Sequence, residues 1–298
     1  MQPVLWRFGG ITLNSYPMFL ALAGLTLVVL ASLLASRRGI PYRRSLPILL
    51  LMGLAALVGA RLLNYLVRPE LYAEPYRLYG LQAYGFSLYG GLVLAVLAGG
   101  AVCLLAGVSI PGLADATAPG LGLSIAIMRV GCFLAGCCFG NPTELPWGVV
   151  FPMFSLPHRA QIRDGEINIF GAPDPVHPTQ LYELLAALCC GAVAYLVLKS
   201  RKAAPGTAFA AFFLLFSAFR WFDLGLRYQI SSSLTPWFYP ALYGTICFLA
   251  AFYIIRFNFR RWSFQVEELA PVSVKGALLN EGFHGKWHVN PQERGVWD

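Results

Sequence analysis

Residues 177–199 read HPTQLYELLAALCCGAVAYLVLK, an apolar run that opens on a proline and carries one carboxylate, Glu183. At 1.5 Å per helical residue the run can cross the apolar core of a bilayer. Proline suits the first helical position, where its missing N–H costs nothing. Glu183 then lies about 8–9 Å into the helix. A charge at mid-bilayer costs about 2.5–3.5 kcal/mol on insertion scales, and less near an interface. Glu183 is therefore expected to be paired or to line a wet cavity.

Outward from this segment, six more stretches are long and apolar enough to span: roughly 17–35, 45–66, 87–107, 114–138, 206–226 and 238–256. The chain is 57% hydrophobic and 12% charged, with a mean hydropathy of +0.62. A soluble domain is about 25% charged. The expected fold class is an all-α membrane protein of about seven transmembrane helices. In the first stretch the basic cluster follows the apolar run, which suits a retained anchor better than a signal peptide. Arg37, Arg38, Arg43 and Arg44, then Lys199, Arg201 and Lys202, then Arg256, Arg260 and Arg261 would share one face. Basic loops favour the cytoplasm, so the N-terminus is expected outside and the C-terminus inside. Residues 1–262 form the expected membrane domain, and 263–298 a polar cytoplasmic tail. The net charge of +8 is largely this topological bias and gives no reason to expect nucleic acid. His284 and His288 lie in a glycine-containing tail segment that reads as solvated rather than metal-binding.

Four more ionisable residues sit inside apolar stretches: Arg61, Arg129, Arg220 and Asp223. The alternating topology places all of them, with Glu183, in the outer half of the membrane. Arg227 marks the exit of the sixth stretch, two turns after Arg220 on one stripe. Tyr16 and Tyr89 open the first and third stretches at the same level. A cavity walled by stretches two, four, five and six would hold about four arginines and two carboxylates. Such a positive pocket suits a phosphate head group, because the planar guanidinium binds phosphate oxygens bidentately. Structural alternatives stand beside this reading. Glu183 can simply neutralise Arg129 or Arg220, Arg227 can snorkel, and Arg61 can serve packing. His177 can cap its own helix. Gly131, Ala135, Gly136 and Gly140 suit close helix approach, and Tyr79, Tyr84 and Tyr89 suit an aromatic belt. Cys103, Cys189, Cys190 and Cys247 read as small hydrophobes. Cys132, Cys137 and Cys138 read as apolar filling or as a redox pair. On a continuous helix Cys132 and Cys137 are about 140° apart, so any bridge would require the helix to end between them.

Five segments together carry a resemblance: His177–Glu183; Arg129–Gly136 followed by Pro146-Trp147-Gly148; Arg220 with Arg227; Gly59-Ala60-Arg61; and Tyr89-Gly90-Gly91. In order and topology they resemble the phosphatidylglycerol–prolipoprotein diacylglyceryl transferase family over residues 10–258. The resemblance implies a multi-pass enzyme of the bacterial cytoplasmic (inner) membrane. Its substrates would be phosphatidylglycerol and a prolipoprotein signal peptide with a lipobox cysteine. A diacylglyceryl group moves to the thiol, a thioether forms, and glycerol phosphate leaves, with no metal or organic cofactor. Departing phosphate needs preorganised donors, and the thiol must become a thiolate. The resemblance implies catalytic roles for Glu183, Arg129, Arg220 and Tyr89. It implies substrate-binding roles for Arg61, Arg227, His177, Gln180, Tyr182, Gly90, Gly91 and Tyr16. The chain departs from the family pattern in four ways. Tyr89 stands where a histidine is usual. Cys132 and Ala135 replace asparagines. Cys137 replaces an acid. Asp223 comes one position before the usual glutamate. A tyrosine is a poor base at neutral pH, so a non-catalytic lipid or lipopeptide binder is a second reading. A quinone-linked thiol oxidoreductase is a third.

Overall fold

The computed structural model describes residues 4–8, 11–67, 69, 87–200, 203–228 and 235–269. Among these residues are eight helices and one short hairpin. Strands β1 (Val4–Phe8) and β2 (Ile11–Asn14) pair antiparallel before the first helix. The helices are α1 (Ser15–Ser36), α2 (Tyr42–Val67), α3 (Leu88–Leu105), α4 (Ile110–Ala135), α5 (Leu156–Arg163), α6 (Thr179–Lys199), α7 (Thr207–Asp223) and α8 (Thr235–Leu269). Each of the seven apolar stretches is thus a helix, and α5 belongs to the excursion between α4 and α6. Five helices are long and apolar enough to cross a membrane. The other two, α3 and α7, have 18 and 17 residues.

Local chemistry sets the ends. Ser109 caps α4, its hydroxyl accepting from Gly112 N at 3.2 Å, with a proline in the first turn. Gly136, at φ 73°, stops the same helix in the left-handed conformation, which suits glycine. Pro178 is the residue before α6 rather than its first member.

The chain divides into two compact units, Met1–Ile254 and Ile255–Asp298. Within the first, α1 packs on α4, α2 on α3, α4 on α6 and α6 on α7. Two glycine pairs set the closest approaches. A Cβ on Gly122 of α4 would lie 2.5 Å from Ala187 O and 2.6 Å from Gly191 Cα of α6. A Cβ on Gly59 of α2 would lie 2.3 Å from Gly90 O of α3. Helix packing therefore falls chiefly to glycines outside the expected set. Gly131 does fit against Phe19, but Gly136 is a helix stop. In the second unit, Ile255–Leu269 is helical. Residues 270–298, with His284 and His288, lie outside the described residues, as do Tyr79, Tyr84, Arg201 and Lys202.

The two ends of the first unit differ in chemistry. Leu34, Ile48, Cys103, Leu113 and Leu198 form an apolar core where α1, α3 and α6 end and α2 and α4 begin. Arg129, Glu183, Arg220 and Asp223 gather at the opposite end. Outer helix faces are apolar, with Leu105 at 88% and Leu66 at 65% exposure, as a lipid solvent requires.

Asp115 of α4 caps α7 from outside. Its carboxylate accepts from Gly206 N at 2.7 Å and from Phe209 N at 3.0 Å. Asp115→Ala leaves both donors without that partner. It is expected to cost about 1–2 kcal/mol, seen as a lower unfolding temperature in detergent. An unchanged temperature would refute the capping role.

Candidate active site

Glu183 is fully buried in the second turn of α6, and its carboxylate faces three guanidiniums from separate segments. Oε2 lies 2.5 Å from Arg129 Nη2, a charge contact off the line of a hydrogen bond. Oε1 lies 2.7 Å from Arg220 Nη1 and accepts from Arg227 Nη1 at 2.5 Å. Asp223, one turn after Arg220 on α7, adds a second carboxylate at 2.9 Å from Arg220 Nη1. Both carboxylates are wholly buried, whereas the arginine side chains keep 12–19% exposure. Three cations against two anions leave a formal excess of one positive charge. The accessible edge of the cluster is its cationic edge.

Each arginine is placed by a different device. Arg129 sits in the last two turns of α4, beyond the close crossing of Gly122 and Gly191. Arg220 closes α7. Its Nε and Nη2 donate to the Tyr243 hydroxyl of α8 at 3.3 and 3.1 Å, and its guanidinium stands 5.5 Å over that ring. Arg227 does not share a helix stripe with Arg220, as the spacing suggested. The helix stops at Asp223, and Arg227 forms an isolated bridge with Gly140. Gly140 N donates to His177 O at 2.9 Å, and Asn141 N to Leu226 O at 2.9 Å. A Cβ on Gly140 would meet His177 Cβ at 2.5 Å and Leu226 O at 2.6 Å, so this seam needs glycine. Tyr228 extends the seam by stacking on Phe139, centroids 5.0 Å apart. Its hydroxyl donates to Asp164 and holds that exposed carboxyl below the usual range.

The HPTQLYE segment anchors the turn after α4. Thr179 Oγ1 donates to Cys138 O at 2.7 Å, and Gln180 Nε2 to Cys137 O at 2.7 Å. His177 does not cap α6 with its ring. Its Nδ1 lies 3.3 Å from the Tyr182 hydroxyl, which accepts from Trp147 Nε1 at 2.8 Å. Tyr16, half-buried at the start of α1, packs on Gly131 of α4. Tyr89 lies edge-on to Phe238, centroids 5.5 Å apart, and 6.5 Å from Tyr239. Tyr239 stacks on Tyr243, so this aromatic group ends at Arg220. Gly90 and Gly91 press on the α2 backbone, an observation that assigns them to packing. Arg61 is half-buried on α2 and takes no part in the ion pairs just described.

Tyr243 is the neighbour that sequence reasoning missed. It sits among many aromatics in α8, and only the placement of α8 beside α7 singles it out. Among the described residues, Arg129 Nε, Gln180 Oε1 and Asp223 Oδ1 are buried without a hydrogen-bond partner. The cluster therefore keeps both donor and acceptor capacity.

Residues 3–267 match the family model described as prolipoprotein diacylglyceryl transferase. Among curated relatives, a phosphatidylglycerol–prolipoprotein diacylglyceryl transferase of Clostridium tetani is 26% identical over 221 residues, covering 74% of this chain and 83% of the relative. The protein of that name from Geobacter sulfurreducens is 27% identical over 228 residues, covering 74% and 80%. That from Trichormus variabilis is 31% identical over 233 residues, covering 76% and 78%.

Proposed function

Because this chain belongs to the prolipoprotein diacylglyceryl transferase family, we propose that the Glu183 cluster holds a phospholipid's phosphate while a protein thiol takes the diacylglyceryl group. The chain is a multi-pass membrane transferase of lipoprotein biogenesis, using phosphatidylglycerol as donor and a prolipoprotein as acceptor. The finer reading places the acceptor thiol on the lipobox cysteine of a signal peptide. It puts the protein in the bacterial cytoplasmic membrane with seven spans and the ionisable end outward.

The observation that carries the site assignment is the meeting of three guanidiniums from α4, α7 and the segment after α7 on one buried carboxylate. Glu183 fixes the arginines from behind, and their exposed edges meet phosphate oxygens. As the carbon–oxygen bond of the glyceryl group breaks, charge collects on the departing glycerol phosphate. Preorganised donors in a low-dielectric site act most strongly there. The same positive field favours the thiolate of the incoming cysteine. Both oxygens of Glu183 are taken by cations, so its role is to organise them. Tyr89, with Tyr239 and Tyr243, forms an aromatic wall beside Arg220 against which a lipid can lie. His177, Gln180, Tyr182 and Tyr16 shape the entrance, and Arg61 of α2 is a further candidate for contact with the substrate.

The test uses purified protein in detergent, phosphatidylglycerol and a lipobox peptide. The wild type is expected to add the mass of diacylglyceryl to the peptide cysteine. Arg129→Ala is expected to lower the rate by about 100-fold or more. Equal rates in the two proteins would overturn the site assignment. Tyr89, standing where the family pattern carries a histidine, is the observation that favours a second reading, a lipid binder without turnover. Bound phospholipid with no mass gain in the wild type would establish that reading.

A further inference from the structure

The turn after α4 brings together three thiols whose sequence context fits apolar filling or a redox pair. The helix ends at Ala135, Gly136 turns the chain at φ 73°, and Cys138 takes φ 61°. A non-glycine residue in that region costs about 1–3 kcal/mol. The result folds Cys137 and Cys138 back onto Cys132, so that all three Sγ atoms lie within 4.8 Å of one another. All three are free thiols. The turn is held from a second element, since Thr179 and Gln180 bind the carbonyls of Cys138 and Cys137.

We infer that Cys132, Cys137 and Cys138 form a three-thiolate site for one thiophilic d10 cation, with Zn2+ as the fitting ion. Zn–S bonds of about 2.3 Å in a tetrahedral ion set sulfur–sulfur separations of about 3.8 Å. The thiols therefore need to close by less than about 1 Å from the upper limit observed. Three thiolates and one divalent ion make a unit with a single formal negative charge. That unit would adjoin the cationic cluster, because Arg129 Nη1 lies 3.9 Å from Cys132 Sγ. Desolvating a lone dication beside arginines would be unfavourable, and the thiolates reverse that sign. A four-coordinate ion with three protein ligands keeps one position for water or substrate.

The test uses the full chain, reduced, in detergent, titrated with Co2+ as a spectroscopic stand-in and then with Zn2+. One equivalent of Co2+ is expected to give thiolate-to-cobalt charge-transfer absorption with tetrahedral d–d bands, and Zn2+ should displace it. Cys132→Ser, Cys137→Ser and Cys138→Ser should each weaken Co2+ binding at least ten-fold, while Cys189→Ser, at an exposed position outside the cluster, leaves it unchanged. A readout without substitutions guards against misfolded variants. Maleimide labelling followed by peptide mass analysis should find these three thiols protected by Zn2+ and released by a chelator. Absence of the charge-transfer band in folded wild type, or labelling indifferent to Zn2+, would overturn the site. So would a disulfide joining any two of the three in the isolated protein. The transfer assay run alongside separates the two conclusions, since metal binding stands or falls without reference to turnover.

Discussion

Glu183→Gln is expected to reduce transfer by at least about 100-fold and to destabilise the folded protein by about 3–5 kcal/mol. The substitution keeps the shape of the side chain and removes only charge and one acceptor. Arg129, Arg220 and Arg227 would then share a single carboxylate, that of Asp223, which touches Arg220. The formal excess at the cluster rises from one positive charge to two. An amide NH2 placed where a carboxylate oxygen met guanidinium donors at 2.5–2.7 Å also sets donor against donor. The arginines must move apart or turn outward, and the fixed donor array is lost. Removing one partner from a buried ion pair costs more than the pair contributes, because unpaired charge stays buried. Two measurements separate loss of fold from loss of chemistry. Unfolding temperature in detergent reports the first. Retained phosphatidylglycerol binding with lost transfer reports the second, since the site becomes more positive. A variant that transfers at the wild-type rate would show that Glu183 is not the organiser.

Much of this arrangement could be read from composition and order alone. Each apolar stretch is a helix, and alternation of direction puts Arg129, Glu183 and Arg220 at one end without any contact being known. Two features were out of reach for physical reasons. The seven-residue spacing of Arg220 and Arg227 fits two turns of one helix and predicts a shared stripe. The helix in fact stops at Asp223, and a cross-chain seam through Gly140 and His177 places the guanidinium. Such a seam depends on partners far apart in sequence. The thiol cluster was invisible for a related reason. On a continuous helix Cys132 and Cys137 diverge, and only the left-handed conformations of Gly136 and Cys138 bring them together. The close-packing glycines were obscured by abundance. With 30 glycines in the chain, small residues occur at too many positions to mark one crossing. Apolar periodicity helps little here, because lipid and protein interior are both apolar and helix faces differ only in residue size.

Gly122→Leu is expected to have an effect nearly as large as a change within the ion cluster, from a position that carries no polar group. The Cβ would stand 2.5 Å from Ala187 O and 2.6 Å from Gly191 Cα, so it meets backbone rather than a side chain able to rotate away. An ordinary carbon contact needs about 3.5–4.0 Å, so α4 and α6 must separate by roughly 1 Å even for the first added carbon. Arg129 lies seven residues beyond Gly122 along α4, about 10 Å, and Glu183 lies on the facing helix two turns from Gly191. Separation at the crossing is carried along both rigid helices to the ion pair. A misplacement of about 1 Å at reacting groups can cost about 100-fold in rate. The expected signature is a fall of about that size in turnover with a lowered unfolding temperature. Gly24→Ala provides the contrast, since nothing lies within 4 Å of a Cβ there. That change should leave transfer intact and, by helix propensity, stabilise slightly. If Gly122→Leu transferred as fast as Gly24→Ala, the spacing of α4 and α6 would not set the geometry of Arg129 against Glu183.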